Sequence, residues 1–503
     1  MLEKTVKRIL NADVYEAAVE TPLDIAALLS ARLGNKVWIK REDLQEVFSF
    51  KIRGAYNKMS SLSEAQRSEG VICASAGNHA QGLAQAAKLM GVKATIVMPV
   101  TTPEIKIASV RSRGAKVVLF GDTFNQALTR ALVLEKERGL HFIHPFDDPE
   151  IIAGQGTVAM EILHQHSGTI DAIFIPVGGG GLIAGVAAYV KYVRPETKII
   201  GVEYEESACL AAAMAAGRRV TLKQVGIFAD GIAVAQVGEQ TWPILTETVD
   251  EVITVSSDEI CAAVKDIFDD TRVIAEPAGA VGIAGMKKYV ERTGCRNKTL
   301  VTISSGANSN FDRLRYVTER AEVGEQREAI LSVTIPERKG AFKRFIGALG
   351  KRAITEFNYR SSDADEAKIF LGLKINGARE RVAIIEHLEQ AGYRVLDLTD
   401  NELAKTHVRH MVGGKAQSIA NERLTRFEFP ERPGALADFL TMLGARWNIT
   451  LFHYRNHGAA YGRVLAGMQV PKSDSKEFQD SLTRLNYRYW DETDNPAYGV
   501  FLG

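Results

Sequence analysis

The chain has 503 residues, 46% hydrophobic and 24% charged, too long for one compact core and ordinary for a soluble globular protein. Its 62 Lys+Arg and 61 Asp+Glu leave a formal charge of +1, so no global field recruits nucleic acid or an anionic membrane. Four scattered cysteines, Cys73, Cys209, Cys261 and Cys295, contain no Cys-x-x-Cys pair, which argues against a zinc site or a disulfide framework and fits a reducing cytoplasm. Residues 1–10 mix Glu3, Lys4, Lys7 and Arg8 with apolar residues and lack the apolar core of a signal peptide. No stretch is apolar for the length of a membrane span.

The first informative segment is Ser49-Phe50-Lys51-Ile52-Arg53-Gly54-Ala55. The cation at Arg53 and burial beside Phe50 are both expected to favour a neutral amine at Lys51. A neutral lysine is a nucleophile that forms a Schiff base with an aldehyde. The plainer reading is a solvated lysine opening a helix over 53–62, and these seven residues leave both readings open.

From 37 to about 304 the pattern alternates short β-rich runs with helical ones. Strands are expected at 71–74, 94–98, 116–119, 172–175, 198–202 and 300–303, with helices such as 82–90 and 105–113 between them. That alternation predicts βαβ units and a parallel sheet covered by helices on both faces, so the chemistry should lie in loops after the strands.

Three such loops stand out. Ser75-Ala76-Gly77-Asn78-His79 opens a helix and offers hydroxyl, amide and imidazole groups for a carboxylate and a phenolic oxygen. Helix capping accounts for Ser75 or Asn78 but not for the whole run. Gly178-Gly179-Gly180-Gly181-Leu182 lets the backbone wrap a phosphate at a helix start, and its spacing fits neither a Walker loop nor a dinucleotide fingerprint. Ser304-Ser305-Gly306-Ala307-Asn308 places a hydroxyl for a ring nitrogen, or for a helix cap. Glu276, before Pro277, is either structural or close to the site. His164 and His166 stand near Glu161 in no metal-binding spacing.

Residues 311–330 read as a polar connecting helix. Beyond them the chain repeats itself: Pro336-Glu337-Arg338-Lys339-Gly340-Ala341 recurs as Pro430-Glu431-Arg432-Pro433-Gly434-Ala435. Phe357-Asn358-Tyr359-Arg360 recurs, after one inserted residue, as Phe452-His453-Tyr454-Arg455. Each copy reads as a small α+β unit of ferredoxin-like type, either a scaffold for oligomerisation or a binding module, with a helix at 399–411 joining them.

In these motifs and their order the chain resembles the fold-type II pyridoxal-phosphate enzymes, and among them the biosynthetic threonine dehydratases. The resemblance covers nearly the whole chain. It implies an α/β catalytic domain at 1–325 with two parallel-sheet subdomains, ACT-like α+β regulatory domains at 326–400 and 424–503, and a connecting segment at 401–423. It implies that Lys51 holds pyridoxal 5′-phosphate covalently. Asn78 would contact the cofactor's phenolic oxygen, Gly178, Gly179, Gly180, Gly181 and Leu182 its phosphate, and Ser305 its ring nitrogen. Ser75, Gly77 and His79 would surround the substrate carboxylate.

The implied reaction is loss of water and ammonia from L-threonine to give 2-oxobutanoate, with Lys51 taking the Cα proton. Isoleucine as inhibitor and valine as its opponent are the implied effectors, with Tyr359 and Tyr454 as candidate contacts, in a cytoplasmic homotetramer. Some relatives carry a cation site to which Glu203 would contribute. Cys209 stands where a second acid would be expected, so no required metal is anticipated. The competing readings are a serine dehydratase, serine racemase or threonine synthase of the same cofactor family, and an amino-acid sensor with a dead catalytic half.

Overall fold

The computed structural model describes residues 1–336, 341–350, 352, 354–361, 366–410, 420–430, 447–455 and 461–502. They form two compact units, Met1–Ala321 and Glu322–Gly503. No helix among the described residues is long and apolar enough to cross a membrane.

The first unit holds ten strands: β1 (Leu23–Ile25), β2 (Lys36–Arg41), β3 (Val71–Ala74), β4 (Ala94–Met98), β5 (Lys116–Leu119), β6 (His141–Phe142), β7 (Ala172–Pro176), β8 (Lys198–Tyr204), β9 (Glu251–Val255) and β10 (Thr299–Ser304). Six of them match the β-rich runs of the sequence. They build two sheets, ordered β1-β2-β10-β7-β8-β9 and β5-β4-β3-β6. Every pairing is parallel except β1 with β2. All residues of β3, β4 and β7 are buried, as near-continuous apolar runs covered on both faces require. The loops after β3, β7 and β10 are the three that the sequence singled out.

Close helix packing fixes how these loops meet. The helix Lys51–Ser60 crosses Pro149–Gln165 at Gly54 and Gly154, where a Cβ on Gly154 would stand 2.7 Å from the Arg53 carbonyl oxygen. It crosses Asn78–Met90 at Gly82, where a Cβ would stand 3.0 Å from the Lys51 carbonyl carbon. An N-terminal strap lies across the same region. Its helix Leu2–Leu10 is tied through Arg8 to Glu150, Asp13 N–H donates to Asn57 Oδ1 at 2.9 Å, and Tyr56 donates to Glu16 at 2.6 Å.

In the second unit the two copies have the same topology. β11 (Glu328–Pro336), β12 (Ile354–Ser361), β13 (Glu366–Lys374) and β14 (Arg394–Asp397) form an antiparallel sheet ordered β12-β13-β11-β14. β15 (Glu422–Pro430), β16 (Asn448–Arg455), β17 (Tyr461–Gln469) and β18 (Arg488–Asp491) repeat that order. Even the irregularity recurs, between Ile354 and Glu356 and between Ile449 and Leu451. Ile330, Phe370 and Leu398 of one copy share a core with Leu424, Leu465 and Leu502 of the other. Asn401 and Asn495, at matching positions, each cap a short helix and meet side chain to side chain at 3.1 Å. The expected joining helix is shorter than the sequence suggested: Glu402–Thr406, then a single 3-10 turn, Val408–His410. The turns 337–340 and 431–435 lie outside the described residues.

Candidate active site

Lys51 opens its helix, so Arg53 two positions on points elsewhere. Arg53 is fully buried and grips two carboxylates bidentately: Glu42 at 2.8 and 2.8 Å, Glu161 at 2.6 and 2.9 Å. Its guanidinium also donates to Thr157 Oγ1 and to the Val19 carbonyl, and buried Lys40 pairs with Glu161 at 2.6 Å. Thr21 donates to Glu42, and Tyr15 to Glu161. Two cations and two anions therefore balance inside the protein. This corrects the expectation drawn from sequence proximity: Arg53 is neutralised and does not act on Lys51.

Removing one member of such a cluster leaves an unpaired buried charge. Arg53→Met should destabilise the protein by about 3–5 kcal/mol, read from the shift of its denaturation midpoint. A loss below about 1 kcal/mol would show that the carboxylates find other partners.

Burial is what lowers the Lys51 amine, to about 8, with the Glu276 carboxylate opposing the shift. Nζ donates to the Pro145 carbonyl at 2.8 Å and stands 5.1 Å from the Phe50 ring centroid. The expected neutral tendency is present, and its physical source is desolvation.

The loop after β3 delivers Asn78 as the first residue of its helix. Gly77 N–H is held by Ser75 Oγ at 3.2 Å, and a Cβ on Gly77 would meet nothing within 4 Å, so this backbone borders open space. His79 turns away: its Nε2 bonds the Ile143 carbonyl at 2.9 Å, and burial pushes its pKa down to about 3. Its ring is thus neutral and committed to the scaffold. Asn78 Nδ2 donates to Glu276, which the sequence left unassigned, and Oδ1 accepts from Asn308 at 2.7 Å. Burial, then Asp230, pushes the Glu276 carboxyl up to about 7.

The loop after β10 folds against the lysine segment. Ser49 pairs with Gly306, and Phe50 N–H donates to the Ser305 carbonyl. Ser305 Oγ lies 3.4 Å from the Ala278 carbonyl oxygen. Ser304 Oγ and Ser49 Oγ are buried without a hydrogen-bond partner among the described residues.

The tetraglycine loop after β7 is lined by protein on one side. A Cβ on Gly179 would lie 2.2 Å from the Phe146 ring, and one on Gly178 3.0 Å from Ile232 Cα. Glycine is therefore needed for packing as well as for wrapping an anion. The N–H groups of Gly178, Gly179, Gly180, Gly181 and Leu182 donate to no protein group among the described residues. With the start of the helix Gly181–Val193 behind them, they make a cradle of donors that would suit an anion. Phe146 links this cradle to Lys51 through the neighbouring Pro145, a segment that sequence reasoning missed because its partners are remote in the chain.

Glu203 is buried and engaged by backbone donors. Its two oxygens accept from the N–H groups of Leu210 and Ala211, at 2.8 Å each, at the start of the helix Cys209–Ala216. The described residues contain no cluster of three His, Cys, Asp or Glu suited to a metal. Tyr359 and Tyr454 belong to the other unit, paired in register with Ile369 and Val464, and their side chains lie outside the described ones.

Comparison with known proteins places this geometry. The family described as pyridoxal-phosphate dependent enzyme matches residues 14–306, and the C-terminal regulatory domain of threonine dehydratase matches 319–408 and again 413–502. L-threonine dehydratase biosynthetic IlvA of Burkholderia multivorans is 56% identical, over 99% of each chain. The chain belongs to the biosynthetic threonine dehydratase family. Among solved structures, the processed form of threonine deaminase isoform 2 from Solanum lycopersicum is 52% identical, with a TM-score of 0.63, covering 64% of this chain and 93% of that one. Serine racemase from Dictyostelium discoideum is 32% identical, with a TM-score of 0.55, over 62% of this chain and 98% of that one. This threonine dehydratase family member is thus a pyridoxal-phosphate lyase with a regulatory C-terminal unit. The residues present fit the cofactor: unpaired backbone donors suit its phosphate, a desolvated amine its aldehyde, and uncharged buried hydroxyls its ring nitrogen.

Proposed function

We propose that this chain converts L-threonine to 2-oxobutanoate and ammonia, the first step towards isoleucine, under inhibition by isoleucine that valine opposes. The observation that carries this reading is the 56% identity that runs through both the site loops and the repeated C-terminal unit. The likeness to a serine racemase extends over 62% of this chain only. The reading includes a cytoplasmic homotetramer.

Pyridoxal phosphate, when bound, supplies an electron sink that acidifies the Cα–H of the amino acid. The protein does the rest. The free amine of Lys51, near pKa 8, accepts the Cα proton at Nζ. The N–H groups of Gly178, Gly179, Gly180, Gly181 and Leu182 hold the phosphate, and Asn78 donates to the phenolic oxygen. Ser305 offers the ring nitrogen a neutral hydroxyl, not a carboxylate, which limits charge build-up on the ring and favours elimination over transamination. Ser75, Gly77 and the backbone N–H of His79 hold the substrate carboxylate at a helix start. The β-hydroxyl departs with the Cα proton as water, and the released enamine takes up water to give the oxo acid and ammonia.

The test is production of 2-oxobutanoate from L-threonine between pH 6 and 9, with and without L-isoleucine. Lys51 acts as base only when neutral, so the rate should rise with pH and level off above about 8. Isoleucine should suppress it. Absence of oxo acid, or racemised serine in its place, overturns the assignment.

A further inference from the structure

Asn78 sits in a chain of hydrogen bonds that begins at a backbone carbonyl. Asn308 Nδ2 donates to the Val47 carbonyl at 2.7 Å and, through its other hydrogen, to Asn78 Oδ1 at 2.7 Å. Asn78 Nδ2 then donates to Glu276 Oε1. A backbone carbonyl only accepts, so it fixes which end of the Asn308 amide faces it. That choice fixes the Asn78 amide in turn, with oxygen towards Asn308 and NH₂ towards Glu276.

The surroundings hold each link in place. Phe48, in the left-handed region at φ 54°, follows the Val47 carbonyl, and Ala307 N–H donates to the Phe48 carbonyl at 2.9 Å. Glu276 N–H donates to the Gly306 carbonyl at 3.1 Å. A Cβ on Gly306 would stand 2.6 Å from Glu276 Oε1, and one on Gly231 3.2 Å from it. Asp230, next to Gly231, is clamped by Lys106 at 2.6 Å and Arg313 at 3.0 Å.

We infer that Asn308 and Glu276 are positioning residues that set the amide of Asn78 so that it presents N–H, not oxygen, to the cofactor's phenolic oxygen. The inference rests on the proposed contact between Asn78 and that oxygen. A phenolic oxygen that carries negative charge is stabilised by a donor and repelled by a carbonyl. The remaining hydrogen of Asn78 Nδ2, not used by Glu276, is the one left for it. Glu276 accepts through Oε1 whether or not its other oxygen carries a proton.

Asn308→Asp tests this, because a carboxylate donates to neither Val47 nor Asn78. The Asn78 amide should then reverse. The visible absorbance band of bound pyridoxal phosphate should shift, and the cofactor should be held about tenfold less tightly, measured by titrating it back into resolved enzyme. Glu276→Ala should lower cofactor affinity similarly, and Glu276→Gln, which keeps an acceptor, should restore the band. Asn308→Ala, which removes the donor alone, gives a second reading if the aspartate variant does not fold. Asn78→Ala separates the two levels. If it leaves the band unmoved, the contact with the phenolic oxygen fails. If it moves the band while Asn308→Asp and Asn308→Ala do not, only the orienting chain is overturned. Equal losses in Glu276→Gln and Glu276→Ala would likewise overturn the role given to Glu276.

Discussion

Replacing Lys51 by alanine should lower turnover by at least about 10⁴-fold and remove the absorbance band of covalently held cofactor. Among the described residues the nearby titratable groups have other partners, His144 included, whose Nδ1 accepts from the N–H groups of Phe146 and Asp147. Arg53 is locked between Glu42 and Glu161, Lys106 is paired with Asp230, and the His79 ring is tied to the Ile143 carbonyl. The fold should survive, since alanine is a strong helix former and the change removes a desolvated amine. An unchanged melting temperature beside lost activity and a lost band would locate the effect in the chemistry. Retention of either activity or the band would sink the role of Lys51.

The second large effect concerns regulation. A chain ended after Gly324 should keep turnover within about threefold and lose inhibition by isoleucine entirely. An inhibitor acts by binding the less active state better, so a protein without its site has nothing to bias. The first unit has its own apolar cores, drawn from residues up to Ala321. The processed tomato enzyme matches 64% of this chain, which shows that a structure of this extent exists in a relative. Dose–response curves for L-isoleucine on the full and shortened chains decide the matter. Persistent inhibition of the shortened chain would place the effector site elsewhere.

Much of this was legible because the informative features are local. β3, β4 and β5 fall on the residues expected, and β3 is an unbroken apolar run. The three loops lie after strands, where a parallel sheet puts its ligands. The repeat survives as matching strand orders and matching bulges. What escaped is long-range. β2 carries Lys36, Lys40 and Arg41, which reads as surface, yet Lys40 and Arg41 are buried by ion pairs with Glu161 and Asp43. Arg53 was assigned the wrong partner because neighbours in sequence diverge once they enter a helix. Phe146 explains Gly179 and Gly181, where an added Cβ would stand 2.2 and 3.0 Å from it, from more than thirty residues away. Glu276 and Asn308 acquire meaning only when three separate loops converge.

The buried charge cluster also bears on how the chain comes into being. Arg53 and Glu161, whose carboxylate it grips, are separated by 108 residues, and Lys51 and the Pro145 carbonyl by 94. At synthesis rates of about 5–20 residues per second, Arg53 waits roughly 5–20 seconds for that partner to be made. Until then Glu42 is the carboxylate partner available to Arg53, and the Lys51 amine lacks its Pro145 contact. The amine of Lys51 therefore keeps the high pKa of an ordinary solvated lysine through this interval. The lowering to about 8 is expected only once the scaffold has closed over the amine.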